Sequence, residues 1–315
     1  MTTRVACVGE CMIELREQPD GLLSRGFGGD TLNTALYLAR LGVMVDYVTA
    51  LGTDSFSAAM LRAWQAEGVG TGLVLQLPGR LPGLYLIQTD ASGERRFSYW
   101  RDSAPVRRLF DAPDAARIEA FLPEYDLIYL SGITLSLFDA AGRGRLFDAL
   151  DRARSRGGRV AFDTNFRPRG WPDHALARAI YDQMLARSDI VLASVEDHAL
   201  LFQEGGRDQT EATVSPMRWL DRAGNAEIVL KLERLGCRVL SGETDMVVSY
   251  MPAASVVDTT AAGDSFAAGY IAARLSGATP DTAARAGHRL ARIVVSHPGA
   301  IIPLAAMPDP DPVGQ

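Results

Sequence analysis

The apolar positions of the chain follow two different periods, and the two periods alternate along the sequence. Short runs rich in β-branched residues predict buried strands over residues 4–9, 45–51, 126–131, 159–163, 189–193, 228–232, 238–240 and 247–250, with strand or loop over 69–77. Apolar residues three to four positions apart predict helices over residues 54–68, 136–156, 174–186, 195–202, 265–275 and 279–295. Repetition of strand, helix and strand is typical of a mainly parallel central sheet with helices on both faces. We therefore predict an α/β fold.

In such a sheet, ligands bind beyond the carboxyl ends of the strands. Several segments of small or polar residues fall near these predicted ends: residues 28–29, 131–132, 163–167, 194 and 258–264. Their coincidence at one edge predicts a functional site there.

A glycine pair precedes the first predicted helix. That helix opens in the segment Gly28-Gly29-Asp30-Thr31-Leu32-Asn33 and runs to Leu41, with Asp30 or Thr31 as its cap. Two interpretations of the glycines are open. They serve turn chemistry alone, or they let a polyhydroxylated ligand approach the backbone closely, with Asn33 as its amide partner.

A polar and aromatic hairpin follows from Gly83. Residues 84–89 and 95–101 alternate with period two around a turn at 90–94. On the return strand, Phe97, Tyr99 and Arg101 share one face. This pattern is typical either of a half-exposed edge hairpin or of a lid over a polar ligand.

The segment from Asp258 to Phe266, Asp-Thr-Thr-Ala-Ala-Gly-Asp-Ser-Phe, is a turn of small residues that leads into a helix. Backbone N–H groups and the positive end of the helix dipole favour an anion at such a place. Asp264 is unusual there, because a carboxylate beside a bound phosphate is repelled unless it takes up a proton. A base next to an anion site suits phosphoryl transfer. The alternative is an acidic cap on a core helix.

Composition narrows the classes of function. The 315 residues are 47% hydrophobic and 22% charged, with a formal net charge of −6. This composition supports a sizeable core and disfavours nucleic acid or an anionic membrane as partners. No apolar run approaches the ~20 residues of a membrane span, and the polar start is unlike a signal peptide. Three cysteines and four histidines without metal-ligand spacing predict a cytoplasmic protein with no disulfide or zinc site.

Two motifs that are missing from the sequence argue against other classes of enzyme. There is no Walker A loop, which excludes a P-loop kinase, and no glycine triplet opens a helix after the first strand, which disfavours a dinucleotide-dependent oxidoreductase. Lys231 is the single lysine among 32 Lys and Arg residues, a hint that a compact ammonium is needed at that position.

These motifs carry a resemblance over essentially the whole chain. Residues 258–266 with Gly269 resemble the C-terminal signature of PfkB-type carbohydrate kinases of the ribokinase fold, and residues 28–33 resemble their N-terminal sugar-binding signature. Within that family the chain is most similar to 2-keto-3-deoxygluconate kinases, on residues 97–101 with 103–104, 163–168, and 287–291 with 297–303. The resemblance implies a single domain over residues 1–315, with a discontinuous β-sheet lid from residues 11–30 and 82–104.

The resemblance also implies a role for each matching residue. Asp264 would be the general base that takes the proton of a sugar hydroxyl, and backbone N–H groups of Ala261, Ala262 and Gly263 would hold the transferring phosphoryl group. The implied substrate-binding residues are Gly28, Gly29, Asn33, Tyr85, Tyr99, Arg101, Ile133 and Arg167. The implied nucleotide-binding residues are Asn165, Ser194, Lys231, Glu233, Gly236, Gly263 and His288. Mg²⁺ would be held through the phosphates of ATP and water, and a K⁺-type ion is a candidate near Asp258 and Thr260.

The implied reaction converts ATP and 2-dehydro-3-deoxy-D-gluconate into the 6-phosphate and ADP. Chemistry supports Arg101 and Arg167 as carboxylate ligands, because guanidinium groups form paired hydrogen bonds with carboxylates; each is alternatively a surface arginine. Three other functions stay open: a fructokinase, a 2-dehydro-3-deoxygalactonokinase, and a non-catalytic module that senses sugar or nucleotide. The resemblance also implies a homo-oligomer, because lids of the family pair edge to edge, and exposed hairpin edges make such pairing physically reasonable.

Four positions depart from the family pattern. Ser194 and Asp197 stand where an Asn and a Glu are frequent, a pair tied to the water shell of magnesium. Glu233 stands where a glycine is usual after Lys231, and Ala267 replaces an expected asparagine.

Overall fold

The computed structural model describes residues 3–18, 20–89, 95–202, 222–232, 236–242 and 244–308. The strands in this part of the chain are β1 (Arg4–Val8), β2 (Met12–Glu17), β3 (Leu23–Gly28), β4 (Met44–Gly52), β5 (Val74–Leu77), β6 (Leu84–Thr89), β7 (Arg95–Trp100), β8 (Leu127–Ser131), β9 (Arg159–Asp163), β10 (Ile190–Ser194), β11 (Glu227–Leu232), β12 (Gly236–Ser241) and β13 (Thr244–Val248). The helices are α1 (Asp30–Arg40), α2 (Ser55–Ala66), α3 (Ala115–Phe121), α4 (Gly132–Leu137), α5 (Ala140–Ser155), α6 (His174–Leu185), α7 (Val195–Phe202), α8 (Ala262–Leu275) and α9 (Pro280–Val294). None of these helices is both long enough and apolar enough to cross a bilayer.

Nine strands form one large sheet in the order β13-β12-β11-β10-β9-β8-β1-β4-β5. Its pairs are parallel from β5 to β11, and the last two strands, β12 and β13, pair antiparallel at one edge. Side chains along a strand alternate between the faces, and the two core clusters show this: Val5 and Cys7 of β1 pack with α1, α2, α8 and α9, whereas Ala6 and Val8 pack with α5, α6 and α7. Burial on both faces explains the continuous apolar runs of these strands. The predicted α/β class is confirmed.

A second sheet has four strands in the order β3-β2-β6-β7. Strand β2 pairs antiparallel with β3 and parallel with β6, and the predicted hairpin pairs Tyr85 of β6 with Tyr99 of β7. The small separate sheet is therefore confirmed, although the predicted turn at 90–94 lies outside the described residues. The pattern did not reveal β3, because most of this strand is exposed and lacks the apolar alternation of a half-buried strand.

The single helix predicted over residues 136–156 is wrong. Helix α4 ends at Leu137, Phe138 is extended, and α5 begins after Asp139, whose carboxylate accepts the N–H of Gly142 at 2.8 Å. An N-cap aspartate satisfies N–H groups that a new helix leaves without partners, and so it favours a fresh start at that point. Helix α3 was also not predicted; it is short and buries mainly Ala115 and Ile118.

The predicted cap of α1 is wrong as well. Gly29 is the N-cap, and no side chain caps the helix. The carboxylate of Asp30 instead accepts a hydrogen bond from Nδ2 of Asn165 at 2.7 Å. Asp30 is therefore turned toward the carboxyl end of β9, where the site described next is found.

Candidate active site

The turn before α8 has the backbone geometry of an anion-binding site. Ala261, the N-cap, has a left-handed backbone with φ of 60°, which is uncommon for a residue with a side chain. The first helical hydrogen bond runs from the N–H of Ser265 to the carbonyl of Ala261 at 2.9 Å. The N–H groups of the first turn, including that of Gly263, have no acceptor within the helix and point out of its N-terminus. Ala262 donates to the carbonyl of Thr259 at 3.2 Å, so this N–H is already engaged.

Asp264 lies in this first turn and is held by α1. Nδ2 of Asn33 donates to Oδ2 of Asp264 at 2.8 Å, and the hydroxyl of Thr34 donates to the main-chain carbonyl of Asp264 at 3.2 Å. Burial raises the pKa of Asp264 to about 7, with a further increase from the carboxylates of Asp30 and Asp163 that the Asn33 hydrogen bond and Lys231 oppose. A carboxyl group with a pKa near neutrality can accept and release a proton, as a general base requires.

Lys231 brings its ammonium group next to the same turn. Its Nζ lies 3.1 Å from Oδ2 and 3.3 Å from Oδ1 of Asp163, and 3.6 Å from the point where a Cβ on Gly263 would stand. Burial acts to lower the pKa of Lys231, but the carboxylates of Asp163 and Asp197 outweigh it and raise that pKa. The ammonium therefore stays charged, and it adds a positive charge beneath the anion site.

An open cleft of about 1780 Å³ runs between the second sheet and the edge of the large sheet. Five arginines line it: Arg96, Arg101, Arg107, Arg167 and Arg169. Of the predicted substrate-binding residues, the cleft wall contains Gly29, Tyr99, Arg101, Ile133 and Arg167. The lining also contains the carboxylates of Glu10, Glu17, Asp30 and Asp102. The five arginines, called the basic wall below, can bind an anionic sugar.

The two predicted carboxylate ligands differ in their surroundings. Arg101 forms an ion pair with Glu10, which is 4% exposed. The side chain of Arg167 is 59% exposed and lies 3.5 Å from the carboxylate of Asp197. Arg101 is therefore oriented by a buried partner, whereas the more exposed Arg167 is held by Asp197 and by a hydrogen bond to the carbonyl of Phe166 at 2.9 Å.

The glycine pair packs against protein atoms. A Cβ on Gly28 would overlap the hydroxyl of Tyr85, and a Cβ on Gly29 would overlap the carbonyl oxygen of Glu10. Protein atoms already occupy the space that a Cβ would need at both positions. Glycine is therefore required here because the Tyr85 side chain and the Glu10 backbone approach these residues closely. Tyr85 in turn donates its hydroxyl hydrogen to Glu14, and its ring lies 6.0 Å from that of Tyr99.

Of the predicted nucleotide-binding residues, Ser194 ends β10, Lys231 lies in β11, Gly236 begins β12 and His288 lies in α9. The hydroxyl oxygen of Ser194 accepts the N–H of Asp197 at 3.0 Å, as the predicted cap requires. The ring of His288 lies 4.8 Å from Phe266 and 5.7 Å from Tyr250, and burial lowers the pKa of His288 to about 4, so it is neutral. Gly236 begins β12 with φ of 107°, which only glycine adopts easily. Glu233 lies outside the described residues.

The sequence of the chain matches a known family. The model of the pfkB family carbohydrate kinase matches residues 2–307. The chain belongs to this family. It is 47% identical over 316 residues to a 2-dehydro-3-deoxygluconokinase of Dickeya dadantii, covering 98% of this chain and 100% of that one.

Two solved structures are similar to this pfkB family kinase in fold. A 2-dehydro-3-deoxygluconokinase of Thermotoga maritima superposes with a TM-score of 0.82 at 23% identity, over 95% of this chain and 96% of that one. A fructokinase with bound ATP from Xylella fastidiosa gives 0.80 at 23% identity, over 98% and 96%. The expected ribokinase-like fold is thus confirmed.

Several residues at the site of this kinase escaped sequence reasoning. Glu10 and Arg107 were given no role, Asp163 was placed in the predicted site segment 163–167 without a role of its own, and Asp30 was assigned as a cap. Glu10 and Asp163 are charged residues that directly follow or end a buried strand, and this position is a usable signal. Arg107 follows the hairpin and gave no such signal.

Proposed function

We propose that the protein phosphorylates 2-dehydro-3-deoxy-D-gluconate with ATP and yields the 6-phosphate and ADP. The observation that carries the proposal is the polarity of the site. Asp30, Asp163 and Asp264 form an acidic end beside the anion site, and the five cleft arginines form a basic wall. A sugar acid with its carboxylate on the basic wall presents its far hydroxyl to Asp264. The Dickeya dadantii relative, named for this substrate, supports the same assignment.

In the proposed reaction Asp264 takes the proton of the C6 hydroxyl as the oxygen attacks the γ-phosphorus of ATP. The new O–P bond forms while the bond between the γ-phosphorus and the β,γ-bridging oxygen breaks, and ADP leaves with that electron pair. N–H groups of the first turn of α8, with Gly263 at their centre, and the Lys231 ammonium face the charge on the transferring group. The raised pKa of Asp264 suits this role because a base near neutrality accepts the proton readily.

The acidic end also orients the substrate. A carboxylate placed near Asp30 and Asp264 would be repelled, whereas Arg101 and Arg167 offer it paired hydrogen bonds. Asn33, Gly29, Tyr85, Tyr99 and Ile133 would then line the path of the sugar hydroxyls. A neutral ketose such as fructose uses only the hydroxyl contacts and gains nothing from the basic wall.

Nucleotide binding follows the other side of the turn in this proposal. Asn165, Ser194 and Lys231 would meet the phosphates, and Gly236 and His288 would border the adenosine, with Glu233 in the loop between. The neutral state of His288 suits packing against a base. The ATP-bound Xylella fastidiosa fructokinase, similar in fold, supports ATP as the phosphoryl donor.

Magnesium would accompany ATP, whose phosphate charge it neutralises. Among the described residues, no group of three or more His, Cys, Asp or Glu side chains could hold a metal ion. In this proposal the ion is held largely by ATP and water, and Asp197, as the family resemblance implies, would contact its water shell.

We also propose a homo-oligomer that pairs through the second sheet and resides in the cytoplasm. Strands β3 and β7 are the edges of that sheet, and Leu22, Leu23 and Trp100 expose 68%, 53% and 60% of their surface. Apolar sheet edges of this kind favour pairing with a second copy. Free, buried Cys7, Cys11 and Cys237 fit a reducing compartment. Light scattering should give a mass that is a multiple of the chain mass. The Leu23→Lys variant should give a lower mass.

A substrate screen tests the activity. Purified protein with ATP and Mg²⁺ should release ADP with 2-dehydro-3-deoxygluconate well above fructose. Arg101→Ala and Arg167→Ala should raise KM for the acid by about tenfold or more and leave any fructose activity nearly unchanged. Preference for fructose, or for the galactonate epimer, would replace the proposed substrate. Absence of turnover with every sugar would indicate a sensing module.

A further inference from the structure

A guanidinium group from the second sheet reaches the turn that leads into α8. Nη1 of Arg16, on β2, donates to Oδ2 of Asp258 at 3.4 Å. The side chains of Arg16 and Asp258 are 24% and 7% exposed. This contact joins the second sheet to the loop of the anion site across 242 positions of sequence.

Asp258 organises that loop. Its Oδ1 accepts the N–H of Thr260 at 2.9 Å and the hydroxyl of Thr260 at 2.6 Å, and its Oδ2 accepts the N–H of Gly299 at 3.0 Å. The loop continues directly into the left-handed Ala261, which sets the direction of the first turn of α8. Asp258 therefore holds the loop that precedes the N–H groups of the anion site.

A buried carboxylate needs a positive partner, because hydrogen bonds from neutral donors only partly offset the loss of water around the charge. The family resemblance suggests a monovalent cation near Asp258 and Thr260. In this chain a guanidinium group already supplies positive charge to Asp258. A second cation beside the same carboxylate would be repelled by Arg16.

We propose that Arg16 is a positioning residue for phosphoryl transfer. Its guanidinium takes the role of a monovalent cation at Asp258 and keeps the anion-site turn in its geometry without that ion. The inference rests on the proposed kinase function and extends it: the enzyme should be fully active without potassium.

The same guanidinium is itself held by the second sheet. Nη2 of Arg16 lies 3.3 Å from Oε1 of Glu14, and Glu14 accepts the hydroxyl of Tyr85. Tyr85 is one of the proposed substrate-binding residues. The sequence of contacts Tyr85, Glu14, Arg16 and Asp258 thus links the sugar side of the cleft to the phosphoryl side.

The test compares Arg16→Gln with Arg25→Gln, in KCl and in N-methylglucamine chloride at equal ionic strength. Arg25 is a matched control because it lies on the neighbouring strand β3 with its guanidinium over the ring of Phe56, 5.3 Å from its centre. Wild type and Arg25→Gln should have the same kcat in both salts. Arg16→Gln should lose kcat by about tenfold in N-methylglucamine with little change in KM, and K⁺ or millimolar guanidinium should restore it. Arg16→Lys should keep most of the activity.

A second readout needs no turnover. Without substrates, K⁺ should raise the melting temperature of Arg16→Gln relative to N-methylglucamine, and it should leave wild type and Arg25→Gln unchanged. A wild-type enzyme that requires K⁺, or a wild-type melting temperature that rises specifically with K⁺, overturns the proposal. So does an Arg16→Gln variant that behaves like Arg25→Gln in both readouts. Wild type that turns over no sugar would defeat the proposed function, while the melting temperatures would still decide the role of Arg16.

Discussion

Asn33 donates a hydrogen bond to the carboxylate of Asp264 at 2.8 Å, and this bond joins two helices whose first turns lie 231 positions apart in sequence. Helix α1 carries the glycine-rich segment and α8 carries the anion site, so the contact joins the two signatures at one carboxylate. The bond also lowers the pKa of Asp264 and partly offsets the effect of burial. Asn33 therefore controls both the orientation and the basicity of the proposed base.

Loss of this bond should change the pH profile of the enzyme. In Asn33→Ala the pKa of Asp264 should increase, so the acid limb of kcat/KM moves to higher pH and the rate at neutral pH decreases by about tenfold or more. Thr34→Val is the control, because Thr34 bonds the main-chain carbonyl of Asp264 and not its carboxylate. If both variants shift the limb equally, the side-chain bond is not the cause.

For the wild-type enzyme, the pH profile of kcat/KM should show an acid limb near neutral pH. Burial and Asp30 raise the pKa of Asp264 to about 7, and only the deprotonated carboxylate can accept the hydroxyl proton. The value of kcat/KM should therefore rise with pH through about 7 and level off above it. Asp30→Asn removes a charge that raises the pKa of Asp264, so the acid limb of this variant should move to lower pH. A limb that stays fixed in Asp30→Asn and follows only the titration of ATP contradicts the assignment.

Lys231 should contribute to rate and stability separately. Lys231→Met removes the ammonium beside Gly263 and should lower kcat by about a hundredfold. It also leaves buried Asp163 without its cation and should lower the free energy of unfolding by about 3 kcal/mol. The double variant Lys231→Met with Asp163→Asn should recover much of the stability and none of the rate. Recovery of both together would show that Lys231 has only a structural role.

Gly29 should tolerate no side chain. Gly29→Ala forces a Cβ against the backbone of Glu10, the partner of Arg101, and should cost about 1–3 kcal/mol of stability and weaken sugar-acid binding. Gly26→Ala on β3 is the matched control, because its Cβ would lie 3.9 Å from the nearest atoms, at ordinary contact distance. Chemical denaturation and KM for the sugar acid give both quantities. Equal stability of the two variants would mean that the backbone yields at Gly29.

Sequence patterns predicted most of the large sheet and several elements closely, because its strands are buried on both faces and stand out as apolar runs. The strand at Arg159–Asp163 and the helix at Val195–Phe202 have the predicted bounds. Elements with few buried residues were harder to predict: β3 is mostly exposed, and the break at Asp139 depends on one cap.

The candidate site was predictable as a set of motifs but not as a set of contacts. Residues 28–33 and 258–264 were both recognised as parts of the site, yet no local pattern reveals that Asn33 meets Asp264. The pairing of Arg101 with Glu10, of Lys231 with Asp163 and of Arg16 with Asp258 is likewise set by tertiary packing. Each pair joins residues far apart in sequence, and such pairs appear only once the strands are aligned.

The central claim is that Asp264 accepts the proton of the sugar hydroxyl during phosphoryl transfer. The direct measurement is the single-turnover rate of Asp264→Asn, with enzyme in excess over 2-dehydro-3-deoxygluconate and with saturating ATP and Mg²⁺. Because the folded-state pKa of Asp264 is raised, ionisation of this buried carboxylate destabilises the fold as the pH rises toward 7, so the variant should be at least as stable as wild type at about pH 8. We expect a rate about 10³-fold lower with ATP affinity nearly unchanged. A well-folded variant whose rate stays within about tenfold of wild type would contradict the account.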